Sequence, residues 1–332
     1  VTRASQRATI EDVAKAAGVS VATVSQVLNG RRPVATSTKA RVLQIIEELG
    51  YRPNAFGRGL RTSRSDMVGV VLPDLANPFY PALVRGLQNR LYASGYHTVI
   101  CNTDGDPAHE RELLADLIDR QVDGLVLVTF TLGPSDLAAI VPRSTPLIVI
   151  GTIEGFDHVH TNDLGAAYEM TTYLLEAGYE SVGHLAGPKG VGPADLRLAG
   201  YEAAINDRGQ GGVSTTVARG EFSLVGGAKA LVNLVERGAL PRSIFCANDL
   251  MALGAIEAAQ SLGLDVPNDL AVAGFDDIEA ASLLRPALTT VANPVAEVGT
   301  TAATVLLERM AGSVAPPVDI EISCQIRSRQ TA

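Results

Sequence analysis

The chain reads as an α/β protein in three parts: an N-terminal three-helix helix-turn-helix head, a short hinge, and a two-lobed body with parallel sheets. Three observations predict this. The first fifty residues carry apolar side chains at helical spacing. From Met67 onward, short apolar strand-like runs alternate with helical patterns, and the alternation runs through two series. Charge divides at the same place: residues 1–65 hold 11 Lys+Arg and 4 Asp+Glu, net +7, whereas the rest holds 16 and 32, net -16.

In the head, Ile10, Val13, Ala14 and Ala17 fall at i, i+3, i+4 and i+7, with Thr9 as N-cap and Asp12 completing a capping box. Gly18 breaks that helix. Ser20 caps a second one, whose Val24, Val27 and Leu28 share a face opposite Ala22, Gln26 and Asn29. A third carries Val42, Ile45, Ile46 and Leu49 and ends at Gly50, so three helices can share one small core. Two short amphipathic helices joined by a tight turn make a helix-turn-helix. A basic head on an acidic body suits a reader of phosphates whose body is repelled by them.

The run ATIEDVAKAAGVSVATVSQVLNG, followed by ELGYRPNAFGRGLRT, resembles the N-terminus of the LacI/GalR-type regulators, the family of the lactose and purine repressors. LANPFY, RLAGYEAAI, CANDLMALGA, AGFDD and PALTTV extend the likeness over essentially the whole chain. The resemblance implies a periplasmic-binding-protein-like body and a cytoplasmic homodimer. It also implies a pseudopalindromic double-stranded DNA operator and a small effector, a sugar or nucleoside, held between the lobes. Contacts to DNA are then expected from Thr9, Ser20, Val21, Ala22, Thr23, Gln26 and Asn29. Asn54, Leu60 and Arg61 join them from the hinge, with Leu60 as a wedge for the central minor groove.

The expected boundaries are 1–51 for the head, 52–66 for the hinge and 67–332 for the body. Lobe 1 takes about 67–161 and 292–322, and lobe 2 about 162–291 and 323–332, with crossings near Thr161, Val291 and Ser323. Arg52-Pro53 ends the head, and Asn54 can cap a short helical segment over AFGRGLRT. Gly57 and Gly59 depart from the family's usual alanine or serine, and each costs a helix roughly 1 kcal/mol. A plain flexible linker is the alternative for this stretch.

In the body, MVGVVLP, YHTVIC, GLVLVT and PLIVI are strand runs of the first series, and VGHLAG, VSTTVA, SIFCAN and LAVAGF of the second. Open α/β sheets bind ligands beyond the carboxyl ends of their strands, which places an effector between the lobes. The candidates there are Phe79, Tyr80, Arg197, Phe222, Asn248, Asp249 and Asp276. Aromatic rings can stack on a ligand ring, and fixed carboxylate and amide groups suit hydroxyls in a dry site. Asn248 and Asp277 have helix capping as their plainer reading.

The remaining patterns are exclusions. GPKGVGP lacks the Gly-Lys-Ser/Thr ending of a phosphate loop, and there is no GxSxG, HExxH or GxGxxG, so neither catalysis nor a cofactor is expected. His158 and His160 alternate as on a strand, but with no third ligand in view no metal site is expected. Cys101, Cys246 and Cys324 read as reduced thiols in apolar runs. No run is long enough to span a membrane and no signal-peptide core precedes the head. The last residues carry no coiled-coil heptads, so a dimer rather than a tetramer is expected. A solute-binding protein without a DNA role is the rival reading; it accounts for the body but not for the basic helical head.

Overall fold

The computed structural model describes residues 8–29, 33–51, 64–208 and 216–332, and divides the chain into two compact units, Val1–Ser65 and Asp66–Ala332. In the first unit, α1 (Ile10–Ala17) starts at Thr9, whose Oγ1 accepts from the Asp12 N–H at 3.2 Å while Asp12 Oδ2 accepts from the Thr9 N–H at 2.9 Å. Gly18 ends it at φ 61, a left-handed conformation that favours glycine. In α2 (Val21–Asn29) the Ser20 hydroxyl accepts from the Thr23 N–H at 3.1 Å. With α3 (Thr36–Glu48) these helices enclose Val13, Ala14, Ala17, Val24, Val27 and Val42. Leu49, expected on the core face, is 42% exposed at the C-cap of α3.

The second unit holds two six-stranded sheets. The first comprises β1 (Met67–Leu72), β2 (His97–Asn102), β3 (Gly124–Val128), β4 (Leu147–Ile150), β5 (Asp157–Thr161) and β11 (Asp319–Ile322), in the order β11-β5-β4-β3-β1-β2, all parallel. The second has β6 (Val182–Ala186), β7 (Thr216–Arg219), β8 (Ser243–Cys246), β9 (Ala271–Asp276), β10 (Thr289–Ala292) and β12 (Gln325–Arg327), in the order β12-β10-β9-β8-β6-β7. Only β12 runs antiparallel to its neighbour among these strands. The connection explains it. Just Ser323 and Cys324 separate β11 from β12, so the chain leaves one sheet at a strand end and enters the other without the helix that would reverse its direction.

Helices cover both sheets: α4 (Phe79–Tyr92), α5 (Pro107–Asp119), α6 (Pro134–Ile140) and α12 (Val295–Met310) belong with the first. The second carries α7 (Asp163–Glu176), α8 (Gly192–Arg208), α9 (Leu224–Glu236), α10 (Asp249–Ser261) and the short α11 (Glu279–Leu283). No described helix is long and apolar enough to cross a membrane. The chain moves between sheets after β5, after β10 and after β11, always at a strand's carboxyl end.

Both lobes seat helix pairs on glycines. A Cβ at Gly86 of α4 would strike the Ala296 carbonyl of α12, and one at Gly254 of α10 would strike the Leu224 carbonyl of α9. Backbone cannot yield there as a side-chain tip can. Gly254→Ala is therefore expected to cost about 1–3 kcal/mol by forcing α9 and α10 apart. Gly133→Ala, where a new Cβ meets only Asp136 Oδ2 at 3.8 Å, is the control and should stay within about 0.5 kcal/mol. Urea unfolding of both variants checks this, and equal midpoints would remove the close crossing as a constraint.

Candidate functional site: an interlobe cleft and a helix-turn-helix surface

Where the carboxyl ends of the two sheets meet lies a cavity of about 330 Å³. The first lobe contributes Asn77, Phe79, Tyr80 and Phe130, the second contributes Asp163, Arg197, Phe222, Asn248 and Asp276, and Asn293 lies at the crossing that follows β10. Each sits just past a strand or in the first turns of the helix that follows, so the strand-end rule delivers polar groups from several elements to one point.

Arg197 organises the polar side. It is 5% exposed, on α8; its Nε donates to Asp163 Oδ1 at 2.7 Å and its Nη1 to the Ala247 carbonyl at 2.6 Å. Its guanidinium carbon stands 3.6 Å from the centroid of the Phe275 ring, a cation-π contact. Burial works against its charge, but Asp163 and Asp276 outweigh that and hold it firmly protonated. Asp276 Oδ1 lies 3.7 Å from Arg197 Nη2, too far for a hydrogen bond, and has no partner within the protein. Burial raises the Asp276 carboxyl to about 7, against the pull of Arg197 and a side-chain hydrogen bond from Asn293, which leaves Oδ1 as its unpartnered oxygen. Asp276 and Asp277 also have φ of 112 and 55, strained values for non-glycine residues that turn the end of β9 toward the cavity. Asn293 Oδ1 is a second buried acceptor without a partner. Two orphaned acceptors beside one cation form a socket for hydroxyl or amide donors.

Aromatic rings shape the rest. Phe79 meets Tyr80 edge to face at 5.1 Å between centroids; Tyr80 is nearly buried, and burial drives its phenol pKa up. Phe222 leans over Gly187, where a Cβ would come within 2.5 Å of its ring. One glycine of GPKGVGP thus makes room for a cleft aromatic.

Six of the seven expected effector residues, Phe79, Tyr80, Arg197, Phe222, Asn248 and Asp276, line this cavity, and Asp249 does not. Asp249 is fully buried beneath the cleft, accepting from Thr290 Oγ1 at 2.6 Å and from the Ile278 N–H at 2.9 Å, and its carboxylate occupies the space that Gly274 leaves free. It fastens α10 to the strand ends and stays there. Burial, then the nearby Asp276, pushes its pKa well up. Asn248 does both jobs: its Oδ1 caps α10 by accepting from the Met251 N–H at 2.9 Å, and its amide remains on the cavity wall. Asp277 caps no helix, because Ile278 holds the N-cap position of α11; Asp277 pairs with Arg329 at 2.6 Å. Sequence reading missed Asn77, Phe130, Asp163 and Asn293. The repeated Ala-Asn-Pro of LANPFY and VANPV was the available signal for the two asparagines.

On the head, Thr9 and Ser20 stand at the N-termini of α1 and α2, where free backbone N–H groups favour phosphate. Val21 and Ala22 are exposed, Thr23 and Gln26 half-buried. Asn54, Leu60 and Arg61 lie outside the described residues, as does the side chain of Asn29.

Residues 9–54 match the family profile described as bacterial regulatory proteins, lacI family, and residues 171–332 match that of the periplasmic binding protein-like domain. The ribose operon repressor of Escherichia coli (strain K12) is 37% identical over 91% of this chain and 93% of its own length. A lac repressor dimer solved with operator and the anti-inducer ONPF aligns with a TM-score of 0.89 at 26% identity, covering 98% of this chain and 99% of that one. A LacI family regulator from Enterococcus faecium with bound ribose aligns at 0.74, with 26% identity over 80% of this chain and 98% of that one.

Proposed function

The chain belongs to the lacI family of bacterial regulatory proteins and is a DNA-binding transcriptional regulator, and from that premise we propose that a polyhydroxylated effector, a sugar or nucleoside, controls its operator affinity through the interlobe cleft. The observation that carries the effector class is the pair of buried, unpartnered acceptors Asp276 Oδ1 and Asn293 Oδ1 beside Arg197, in a cavity edged by Phe79 and Phe222. Hydroxyls supply the missing donors, and the rings cover the apolar face of a sugar or stack on a base. The protein works in the cytoplasm as a homodimer whose heads bind inverted half-sites, with Asn54, Leu60 and Arg61 contributing from the hinge. Effector binds one lobe arrangement better than the other, and that difference shifts the population able to hold operator. Its role is binding, not catalysis.

A thermal-shift panel of pentoses, hexoses, disaccharides and nucleosides tests the effector class. A ligand at 100 times its dissociation constant should add about 2.7 kcal/mol of stability. A panel in which none stabilises the protein, while operator binding is intact, would remove the polyol reading.

The operator half-site is read chiefly by Gln26, on the face of α2 opposite Val24. Its amide offers one donor and one acceptor, the bidentate match for adenine; Val21 and Ala22 can only touch a thymine methyl. Gln26→Arg should move the preferred base from adenine toward guanine at one symmetric position, with about 1–3 kcal/mol of discrimination. Operators selected from a randomised pool by both proteins decide the matter. Identical selected sites would mean that Gln26 contacts phosphate and only positions the helix.

A further inference from the structure

β5 carries His158 and His160 on one face, and its parallel neighbour β11 sets Asp319 opposite His158. The sequence showed two histidines and no third donor; the register brings that donor from beyond residue 300. His158 Nε2 lies 3.1 Å and His160 Nε2 2.8 Å from the same oxygen, Asp319 Oδ1. The other nitrogen of each ring faces a backbone carbonyl: His158 Nδ1 is 3.0 Å from Phe156 O, and His160 Nδ1 is 3.2 Å from Thr161 O. A carbonyl oxygen only accepts, so the tautomer with hydrogen on Nδ1 satisfies both contacts, and in that tautomer each ring offers its Nε2 lone pair on the side of Asp319. Both Nε2 atoms and the Asp319 carboxylate oxygen thus converge on one spot, where a cation can replace the hydrogen that His160 shares with Asp319. His158 is buried, and its Nε2, though near Asp319, has no aligned hydrogen-bond partner.

We propose that His158 Nε2, His160 Nε2 and the Asp319 carboxylate bind a divalent transition-metal ion of the zinc class. The three donor atoms lie within 4.8 Å of one another, and tetrahedral zinc needs about 3.3 Å between ligand atoms, so only small side-chain shifts separate this geometry from coordination. The outer shell is already in place, since histidine ligands ordinarily donate their second N–H to a carbonyl or carboxylate. Imidazole with carboxylate suits zinc and its neighbours, whereas magnesium and calcium prefer oxygen alone. Asp319 is 65% exposed in its side chain and provides the entry path. Glu321, two residues on and on the same face, accepts from Asn162 Nδ2 at 3.2 Å and is a nearby further carboxylate.

The position gives the ion a regulatory use. β5 and β11 are two of the three strands that lead across to the other lobe, and His160 also lines the effector cavity. An ion tying these strands together stiffens one side of the crossing between the lobes and sits at the edge of the effector site.

The full-length protein, stripped with a chelator and dialysed, is titrated with zinc chloride against a chromophoric chelator and separately with cobalt chloride. One zinc per chain is expected, with a cobalt spectrum of nitrogen and oxygen ligation that lacks the thiolate charge-transfer band. Asp319→Asn and His158→Gln should each weaken zinc by at least 10- to 100-fold, on the order of what loss of even an outer-shell partner costs. Zinc should raise the melting temperature of the wild type and not of Asp319→Asn. Because the cobalt spectrum reads the ligands in the wild type, misfolding of a variant does not block the test. Zinc affinity unchanged in Asp319→Asn overturns the proposal, as does a thiolate band pointing to the cysteines. A wild-type melting temperature that does not respond to zinc overturns it too.

Discussion

Arg197→Ala is expected to abolish the effector response and to destabilise the protein by about 3–5 kcal/mol, the usual cost of removing one member of a buried ion network. The side chain donates to Asp163 and to the Ala247 carbonyl, lies over Phe275, and is the cation nearest Asp276. Without it, Asp163 and Asp276 stand in the buried cleft without their nearest counter-charge. The pH dependence follows from Asp276, whose folded pKa of about 7 stands above its ordinary 3.8. Between those values the folded protein holds a proton that the unfolded chain has lost, so this group's contribution to stability falls as pH rises through the window. Losing Arg197 removes the one lowering influence of a cation, which carries the fall to higher pH. The variant's deficit should therefore be larger at about pH 8 than at about pH 5. His184, pushed down to about 3 mainly by burial and in smaller part by Arg197, slopes the opposite way; its folded pKa lies well below both pH values, so it adds little to the difference between the two proteins there. Denaturant unfolding at both pH values, with operator release measured in parallel, checks the whole. A normal effector response would remove Arg197 from the site, and equal deficits at the two pH values would show that Asp276 is not its electrostatic partner.

Removing residues 1–65 should leave a fragment that folds, binds effector and has lost specific operator affinity, a drop on the order of 10³-fold or more. Residues 66–332 form a compact unit with both sheets and the entire cavity. The deleted segment carries net +7, and what remains carries net -16, so the fragment lacks both the reading helix and the charge that draws phosphate. Gel-shift titration at one fixed salt concentration compares the two proteins. Full operator affinity in the fragment would overturn the assignment of DNA reading to the head.

The residues legible in advance were those whose role is local. Thr9 with Asp12, Gly18, Ser20 and the spacing of Val24 and Val27 announce α1 and α2 because caps and helical periodicity act within one or two turns. Arg197 and Asp276 were reached through strand-end position and family motif together. Leu49 was assigned to the core by period alone, and at the C-cap of α3 it is exposed.

Sequence by itself determined the division into a basic helical head and an acidic α/β body, the two series of strands, and most of the residues at their carboxyl ends. Such features depend on short-range sterics, apolar period and summed charge, none of which needs a distant contact. Tertiary structure alone decided that Asp249 is a buried fastener and Asp163 the partner of Arg197, across 34 residues. It alone reversed β12, through a two-residue link between sheets. It alone joined Asp319 to His160 across 159 residues. Each of these rests on strand register and on which sheet a returning segment joins, and register follows from the packing of whole layers rather than from the residues on either side.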